Sequence, residues 1–364
     1  MTTNRKPIAL IVDDVSENLN ILMNMLQDDY SIKVAKSGEN ALKQAISEPI
    51  PDVILLDIMM PGMDGYEVCL KLKSSPKTWS IPVLFISALN QQDDEERGLT
   101  VGAVDYITKP FKPTLVKARV RSQIELKQHK NKLEELVKER TRQLMETQDV
   151  TILTLASLAE ARDPETGGHI KRTQSYVGLL ATALSPKAEF LAELTHESID
   201  LLSKSAPLHD VGKVGVPDNI LLKPGKLTDD EFTEMKKHSV YGYNALRTAQ
   251  KRLGHDSFLR YAAEISFSHH EKWDGTGYPR GLAGDDIPLS GRIMAVADVY
   301  DALISKRVYK PPFTHSKAVA IIKDGANTHF DPRIVDAFLK MQEQFREAAI
   351  EFADFDEERA ALAK

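Results

Sequence analysis

Five residues in the first third of the chain, Asp13, Asp14, Asp57, Ser87 and Lys109, are of the types that phosphoryl transfer needs. Three carboxylates brought together call for a cation, and an all-oxygen ligand set suits Mg²⁺. A carboxylate can attack phosphorus to give an aspartyl phosphate. A lysine and a hydroxyl beside it would hold the transferred oxygens. One strand-end aspartate usually just caps the next helix; five such residues at strand ends are harder to explain that way.

A second set lies further along: Glu165, His169, His209, Asp210, His238, His269, His270 and Asp298. A lone histidine on a helix is more often a packed or surface residue than a ligand. The adjacent pairs His209-Asp210 and His269-His270 resist that reading. Mixed imidazole and carboxylate ligands suit Fe, Mn, Ni, Co or Zn, and with Cys69 the only cysteine no thiolate cluster competes. Eight ligands exceed the needs of one ion, which predicts two or three metals. Bridging metals generate a hydroxide nucleophile and clamp both oxygens of a phosphodiester.

The elements that must position these residues differ between the two parts. Ile8–Val12, Ile32–Val34, Val53–Leu56, Val83–Ile86 and Tyr106–Ile107 read as buried strands. Helical stretches near 17–28, 39–47, 65–73 and 93–101 alternate with them, which predicts a parallel sheet covered on both faces. In such a sheet, functional groups gather at the carboxyl ends of the strands, and the five residues fall there. From about Pro113 to Asp163 the pattern is helical without glycine. Residues 125–149 are densely charged, with Leu126, Leu133, Val137 and Leu144 near a heptad seam that Arg140 interrupts. A coiled coil and a solvated single helix both fit this pattern. Beyond Pro164 the chain is mostly helical, with loops at Pro217, Pro224-Gly225, Gly275–Pro279 and Pro311-Pro312.

The stretches Val12-Asp13-Asp14, Leu56-Asp57-Ile58-Met59-Met60-Pro61-Gly62-Met63-Asp64-Gly65, Ile86-Ser87-Ala88 and Thr108-Lys109-Pro110 resemble the receiver domain of two-component response regulators over residues 6–125. That resemblance implies a flavodoxin-like α/β fold with Asp57 as phosphoacceptor and Asp13 and Asp14 as Mg²⁺ ligands. It makes Lys109 and Ser87 phosphoryl-sensing groups and Tyr106 the aromatic switch residue. It also implies a sensor histidine kinase as donor.

His209-Asp210-Val211-Gly212-Lys213, Pro217-Asp218 and Lys223-Pro224-Gly225-Lys226-Leu227 resemble the opening of the HD-GYP phosphodiesterases. His269-His270-Glu271, Asp274-Gly275-Thr276-Gly277-Tyr278-Pro279 and Ala297-Asp298-Val299-Tyr300-Asp301-Ala302 continue the likeness in order. It implies an all-α phosphohydrolase that cleaves cyclic di-GMP, with His209, Asp210, His238, His269, His270 and Asp298 as metal ligands. Glu165 and His169 match the extra ligands of members with three metals. Fe or Mn is favoured over Ni, Co or Zn. Lys213 is expected to hold the scissile phosphate or its developing charge, and Asp210 to act in catalysis. Arg307 and Lys310 match substrate-contacting positions, and Tyr278 would stack on a base or anchor its loop.

Composition bounds the rest. The 364 residues suit about two domains, and 42% hydrophobic with 27% charged residues suits a protein that buries a core. A formal charge of -6 argues against a broad grip on nucleic acid or an anionic membrane. No apolar run approaches a membrane span of roughly 18–20 residues, and no secretory signal is evident, so the expected compartment is the cytoplasm. The expected organisation is a receiver at 1–125, a helical linker at 126–150, an HD-GYP domain at 151–345 and a tail at 346–364. Expected partners are a sensor histidine kinase, cyclic di-GMP and a second copy of the chain, with a diguanylate cyclase or other signalling proteins as further candidates. Hydrolysis of another cyclic dinucleotide and an adaptor role are the alternatives.

Overall fold

The structure, a computed structural model, describes residues 5–88, 100–161, 167–253, 257–306 and 311–363. Contacts divide the chain into two units, Met1–Arg142 and Gln143–Lys364. In the first unit, strands β1 (Ile8–Val12), β2 (Ser31–Ala35), β3 (Val53–Asp57), β4 (Val83–Ala88) and β5 (Asp105–Lys109) form a parallel sheet in the order β2-β1-β3-β4-β5. Helices α1 (Ser16–Leu26), α2 (Gly38–Ile46) and α3 (Gly65–Lys73) follow the first three strands. The segment near 93–101 expected to be helical lies largely outside the described residues.

The central strands β1 and β3 are buried at every position, because helices cover both faces. On one face Leu10, Ile54, Leu56 and Phe85 pack with Val68, Cys69 and Leu72 of α3. On the other, Ile11, Leu55 and Ile86 meet Leu19, Leu22 and Leu26 of α1. Val116, Val120 and Ile124 of α4 (Pro113–Glu160) join that second face at every fourth position, which lays one stripe of the helix on the sheet.

The second unit begins within α4. Ile152 and Ala156 bury against Ile170, Leu208, Leu246 and Ala262. The remaining helices are α5 (Gly167–Leu184), α6 (His196–Ser205), α7 (Asp218–Leu221), α8 (Asp229–Met235), α9 (His238–Leu253), α10 (Phe258–Ser268), α11 (Leu289–Ile304), α12 (His315–Asp324), α13 (Pro332–Glu351) and α14 (Asp356–Leu362). The core centres on α11, which is buried along most of its length. Tyr176 of α5 stacks on Phe345 of α13, with centroids 4.4 Å apart, and meets Tyr300 of α11 edge-on.

Of the segment 346–364, expected from sequence as a tail, the described residues 346–363 are packed into the unit. Phe345, Ala348 and Ala349 continue the buried stripe of α13. Glu358 of α14 accepts a hydrogen bond from the Lys306 backbone N–H at 2.8 Å, and Leu362 is buried. Among the described residues, no helix is long and apolar enough to cross a membrane.

Candidate phosphoacceptor and metal centre

The sheet of the first unit sets three carboxylates at one edge. Asp57 ends β3, Asp13 and Asp14 follow β1, and one oxygen from each lies within 4.8 Å of the others. Asp13 and Asp57 are buried, whereas Asp14 is more open. Lys109, at the end of β5, sets its Nζ 3.2 Å from Asp13 Oδ2 and 3.3 Å from Asp57 Oδ1. Asp13 also accepts from the Val15 backbone and from Asn18 Nδ2; Asn18 had no signal in the sequence. Burial, then the charge of Asp13, pushes the Asp57 carboxyl up to about 6, against the pull of Lys109. One lysine does not neutralise three carboxylates, so the donor set fits a hard divalent cation. Ser87 of β4 is half-buried, in register with Thr108 of β5. Tyr106 is buried, its ring 6.0 Å from Phe85.

In the second unit, two groups of side chains that could hold a metal ion form: Asp210, His238, His269 and His270 in one, and His169, His209 and Asp298 in the other. His169 lies in the first turn of α5, and Asp298 on α11. His209 and Asp210 occupy the break between two 3₁₀ turns, Ala206–Leu208 and Val211–Gly215. His238 opens α9, and His269-His270 follow the end of α10. The turn after Asp210 can approach α9 only because residue 212 is glycine; a Cβ there would sit 1.9 Å from the His238 carbonyl oxygen.

The rings are aimed by their far nitrogens. Nδ1 of His209, His238 and His269 lies 2.7–2.9 Å from the carbonyls of Ala206, Met235 and Ile265, respectively. As donors to those carbonyls, the rings keep Nε2 free to ligate. Asp210 Oδ1 is 3.2 Å from His238 Nε2 and 3.5 Å from His269 Nε2, and its Oδ2 is 3.4 Å from His209 Nε2. Asp210 therefore touches both groups. Asp210 Oδ1 and His269 Nε2 are buried and, among the described residues, have no hydrogen-bond partner. Buried polar atoms do not stay unsatisfied cheaply, and a cation between them would satisfy both. Burial, then the neighbouring His269 ring, holds His270 well below the usual imidazole pKa, which keeps its lone pair available.

Around the ligands sit residues that sequence reasoning missed. Asp301, one turn after Asp298, accepts from His169 Nδ1 at 2.8 Å and from Arg172 at 2.6 and 3.0 Å. Burial opposes its charge, yet His169 and Arg172 hold its carboxyl well below the usual range. Glu160, the last residue of α4, is buried with Oε1 3.9 Å from His169 Nε2. Glu271 accepts from the backbone of Arg280 and Leu282, pinning the loop that carries Tyr278. The Tyr278 backbone N–H in turn donates to the His270 carbonyl at 3.2 Å. The i+3 spacings from His169 to Arg172 and from Asp298 to Asp301 were the available signals.

Lys213 Nζ lies 2.8 Å from Asp210 Oδ2. Trp273 lies between Arg292 and Arg333, 5.9 and 5.3 Å from its ring. Glu165, Arg307 and Lys310 lie outside the described residues.

Both units match known families. Residues 9–121 match the response regulator receiver domain family and residues 153–334 the HD domain family. The chain is 49% identical, over 95% of its length and 80% of the relative's, to the Vibrio cholerae protein named "Probable cyclic di-GMP phosphodiesterase". It is 35% identical to the cyclic di-GMP phosphodiesterase response regulator RpfG of Xanthomonas campestris, over 94% of this chain and 90% of that one. A V. cholerae 3'3'-cGAMP-specific phosphodiesterase 2 is 43% identical over 56% of this chain and 36% of its own length.

Proposed function

This chain belongs to the response regulators that join a receiver domain to an HD domain, and from that membership we propose that it hydrolyses cyclic di-GMP to pGpG, with GMP as a further product, under the control of phosphorylation at Asp57. The observation that carries this reading is the position of Asp210. It is adjacent in sequence to His209, yet each belongs to a different ligand group, and Asp210 reaches both. That arrangement suits a centre of two or more ions. Oxygen and nitrogen donors without thiolate suit Fe, Mn, Ni, Co or Zn, and of these the family resemblance favours Fe or Mn. When bound, such ions supply Lewis acidity toward the phosphodiester and activate water at neutral pH.

The chain's own residues do the positioning. Lys213 holds Asp210 Oδ2, which leaves Oδ1 toward His238 and His269. Its ammonium is also the group proposed to meet the charge that develops on a cleaved phosphate. Asp301 fixes the His169 ring, and Glu271 fixes the loop of Tyr278. Glu165 is the proposed ligand of a third ion, and Arg307 and Lys310 are proposed substrate contacts. In the receiver, Asp13, Asp14 and Asp57 would hold Mg²⁺, and Lys109 with Ser87 would receive the phosphoryl oxygens.

The phosphodonor is proposed to be a sensor histidine kinase in the cytoplasm, and the active form a homodimer paired along α4, with a diguanylate cyclase or other signalling protein as a further partner. A 3'3'-cGAMP activity is the second reading, supported by the 43% identity to an enzyme of that name. The test is turnover of both dinucleotides by anaerobically purified protein, with metal content measured in parallel. Combined His209→Ala and Asp210→Ala should remove metal and hydrolysis together. Full activity in metal-free protein, or faster turnover of cGAMP than of cyclic di-GMP, would replace this reading.

A further inference from the structure

Beside the ligand histidines stands a wall of two aromatic rings and a lysine. Tyr278 leans on His270, with centroids 4.7 Å apart, and is 6.5 Å from His238. Phe232 meets Tyr278 edge-on at 6.3 Å and 79°. Lys236 Nζ lies 4.7 Å from the Phe232 centroid and 5.6 Å from that of Tyr278. Phe232 is nevertheless 45% exposed, and no residue of α8 is buried. A capping box between Thr228 and Glu231 already secures the start of that helix. Core packing therefore does not account for a phenylalanine there. Lys237 pairs with Glu234, whereas Lys236 makes no ion pair among the described residues.

We propose that Phe232 and Lys236 form the base-binding wall of the active site: one guanine of the substrate stacks on Phe232 in the place that Lys236 Nζ holds over that ring, and the displaced ammonium turns to its O6 and N7. This inference rests on the cyclic di-GMP reading above. An aromatic face stacks on any base, and so supplies affinity without choosing among them. A cation at the edge of that base does choose. Guanine offers two acceptors, O6 and N7, whereas adenine puts an amino donor in place of O6. Tyr278, pinned through its backbone to His270, links the wall to the ligand group where the diester must sit. The wall thus places a base next to the phosphate being cleaved, and reads it.

The test uses the full-length, metal-loaded protein and three substrates or competitors: cyclic di-GMP, cyclic di-AMP, and bis(p-nitrophenyl) phosphate, a diester without bases. Phe232→Ala should raise KM for cyclic di-GMP about tenfold, with kcat and metal content little changed. Phe232→Leu keeps an apolar side chain without an aromatic face and should behave like the alanine variant, while Phe232→Trp should restore KM. Lys236→Met should reduce the preference for cyclic di-GMP over cyclic di-AMP, measured as competing inhibitors, about fivefold. An unchanged KM in Phe232→Ala, or a loss of kcat or metal content in step with it, overturns the stacking role. An unchanged preference in Lys236→Met overturns the reading of the base edge. Wild-type protein that cleaves bis(p-nitrophenyl) phosphate but neither binds nor cleaves cyclic di-GMP refutes the substrate reading, and the wall falls with it.

Discussion

His169 Nδ1 lies 2.8 Å from Asp301 Oδ2, and the same carboxylate is gripped by the buried Arg172 guanidinium. The carboxylate therefore orients the ring of a candidate ligand and neutralises a buried cation at once. Asp301→Asn preserves shape but removes the charge. It should weaken metal affinity about 10–100-fold, as loss of a carboxylate behind a ligating histidine does elsewhere. Arg172 then lacks its main partner, a loss of about 3 kcal/mol, with Asp354 left to offset part of it. Metal titration and thermal unfolding should move together; an intact metal affinity would mean that Asp301 serves Arg172 alone.

Acetyl phosphate with Mg²⁺ should label the receiver at Asp57, since Lys109 stands within 3.3 Å to meet the incoming oxygens. Asp57→Asn should abolish the label on a phosphate-affinity gel. An equal label on that variant would place the phosphoacceptor elsewhere.

Cys69 is fully buried under the sheet, and burial pushes its thiol up to about 11. Native protein at pH 8 should therefore react with a thiol reagent at least tenfold more slowly than protein in guanidinium, where one equivalent should titrate at once. Rapid reaction of the native form would show that the α3 face opens readily.

Asp331 caps α13 and accepts hydrogen bonds from Arg292 at 2.8 Å and Arg333 at 2.6 Å. Burial alone would raise its carboxyl, but these arginines bring it below the usual value. The unfolded chain, whose aspartates titrate near pH 4, then binds more protons than the native one as acid is added. The stabilisation is complete above about pH 4 and disappears as pH falls through the native value. With chelator present, wild type should unfold at a higher temperature than Asp331→Asn at pH 7, and the gap should close below pH 4. A gap that persists unchanged at pH 3 would assign the effect to packing rather than charge.

The receiver site was legible because strict strand–helix alternation forces strand ends to one edge, so Asp13, Asp57 and Lys109 could be placed from linear position. The convergence of the candidate ligands was legible from paired motifs: seven of the eight expected residues fall into the two groups, and the eighth, Glu165, lies outside the described residues. What stayed hidden depends on tertiary convergence. Glu160, Arg172 and Asp301 sit on three different helices, and as single charged residues in helical sequence they look like solvated surface. The packing of residues 346–363 is hidden for a related reason: Glu358 and Leu362 are buried by docking, within a stretch dense in acids and alanines.

Phosphorylation is expected to reach turnover along α4. Helix α4 runs from Pro113 to Glu160 with no glycine and no proline after its first residue. Val116, Val120 and Ile124 anchor its first turns in the receiver core, and Ile152 and Ala156 anchor its last turns in the hydrolase core. Between them Leu126, Leu133, Val137 and Leu144 are 57–71% exposed, which is costly for a heptad-spaced stripe unless a second copy covers it. The last residue, Glu160, reaches within 3.9 Å of His169 Nε2. A change in helix pairing at the receiver end would therefore be felt beside a ligand ring, and activation is the favoured direction. A short Gly/Ser insertion near Lys138 breaks the hydrogen-bonded path but keeps both units tethered. Acetyl phosphate labelling and basal hydrolysis should survive the insertion, while the ratio of phosphorylated to unphosphorylated turnover should fall to about one. If that ratio is unchanged, the helix acts only as a tether, and direct contact between receiver and hydrolase must carry the signal.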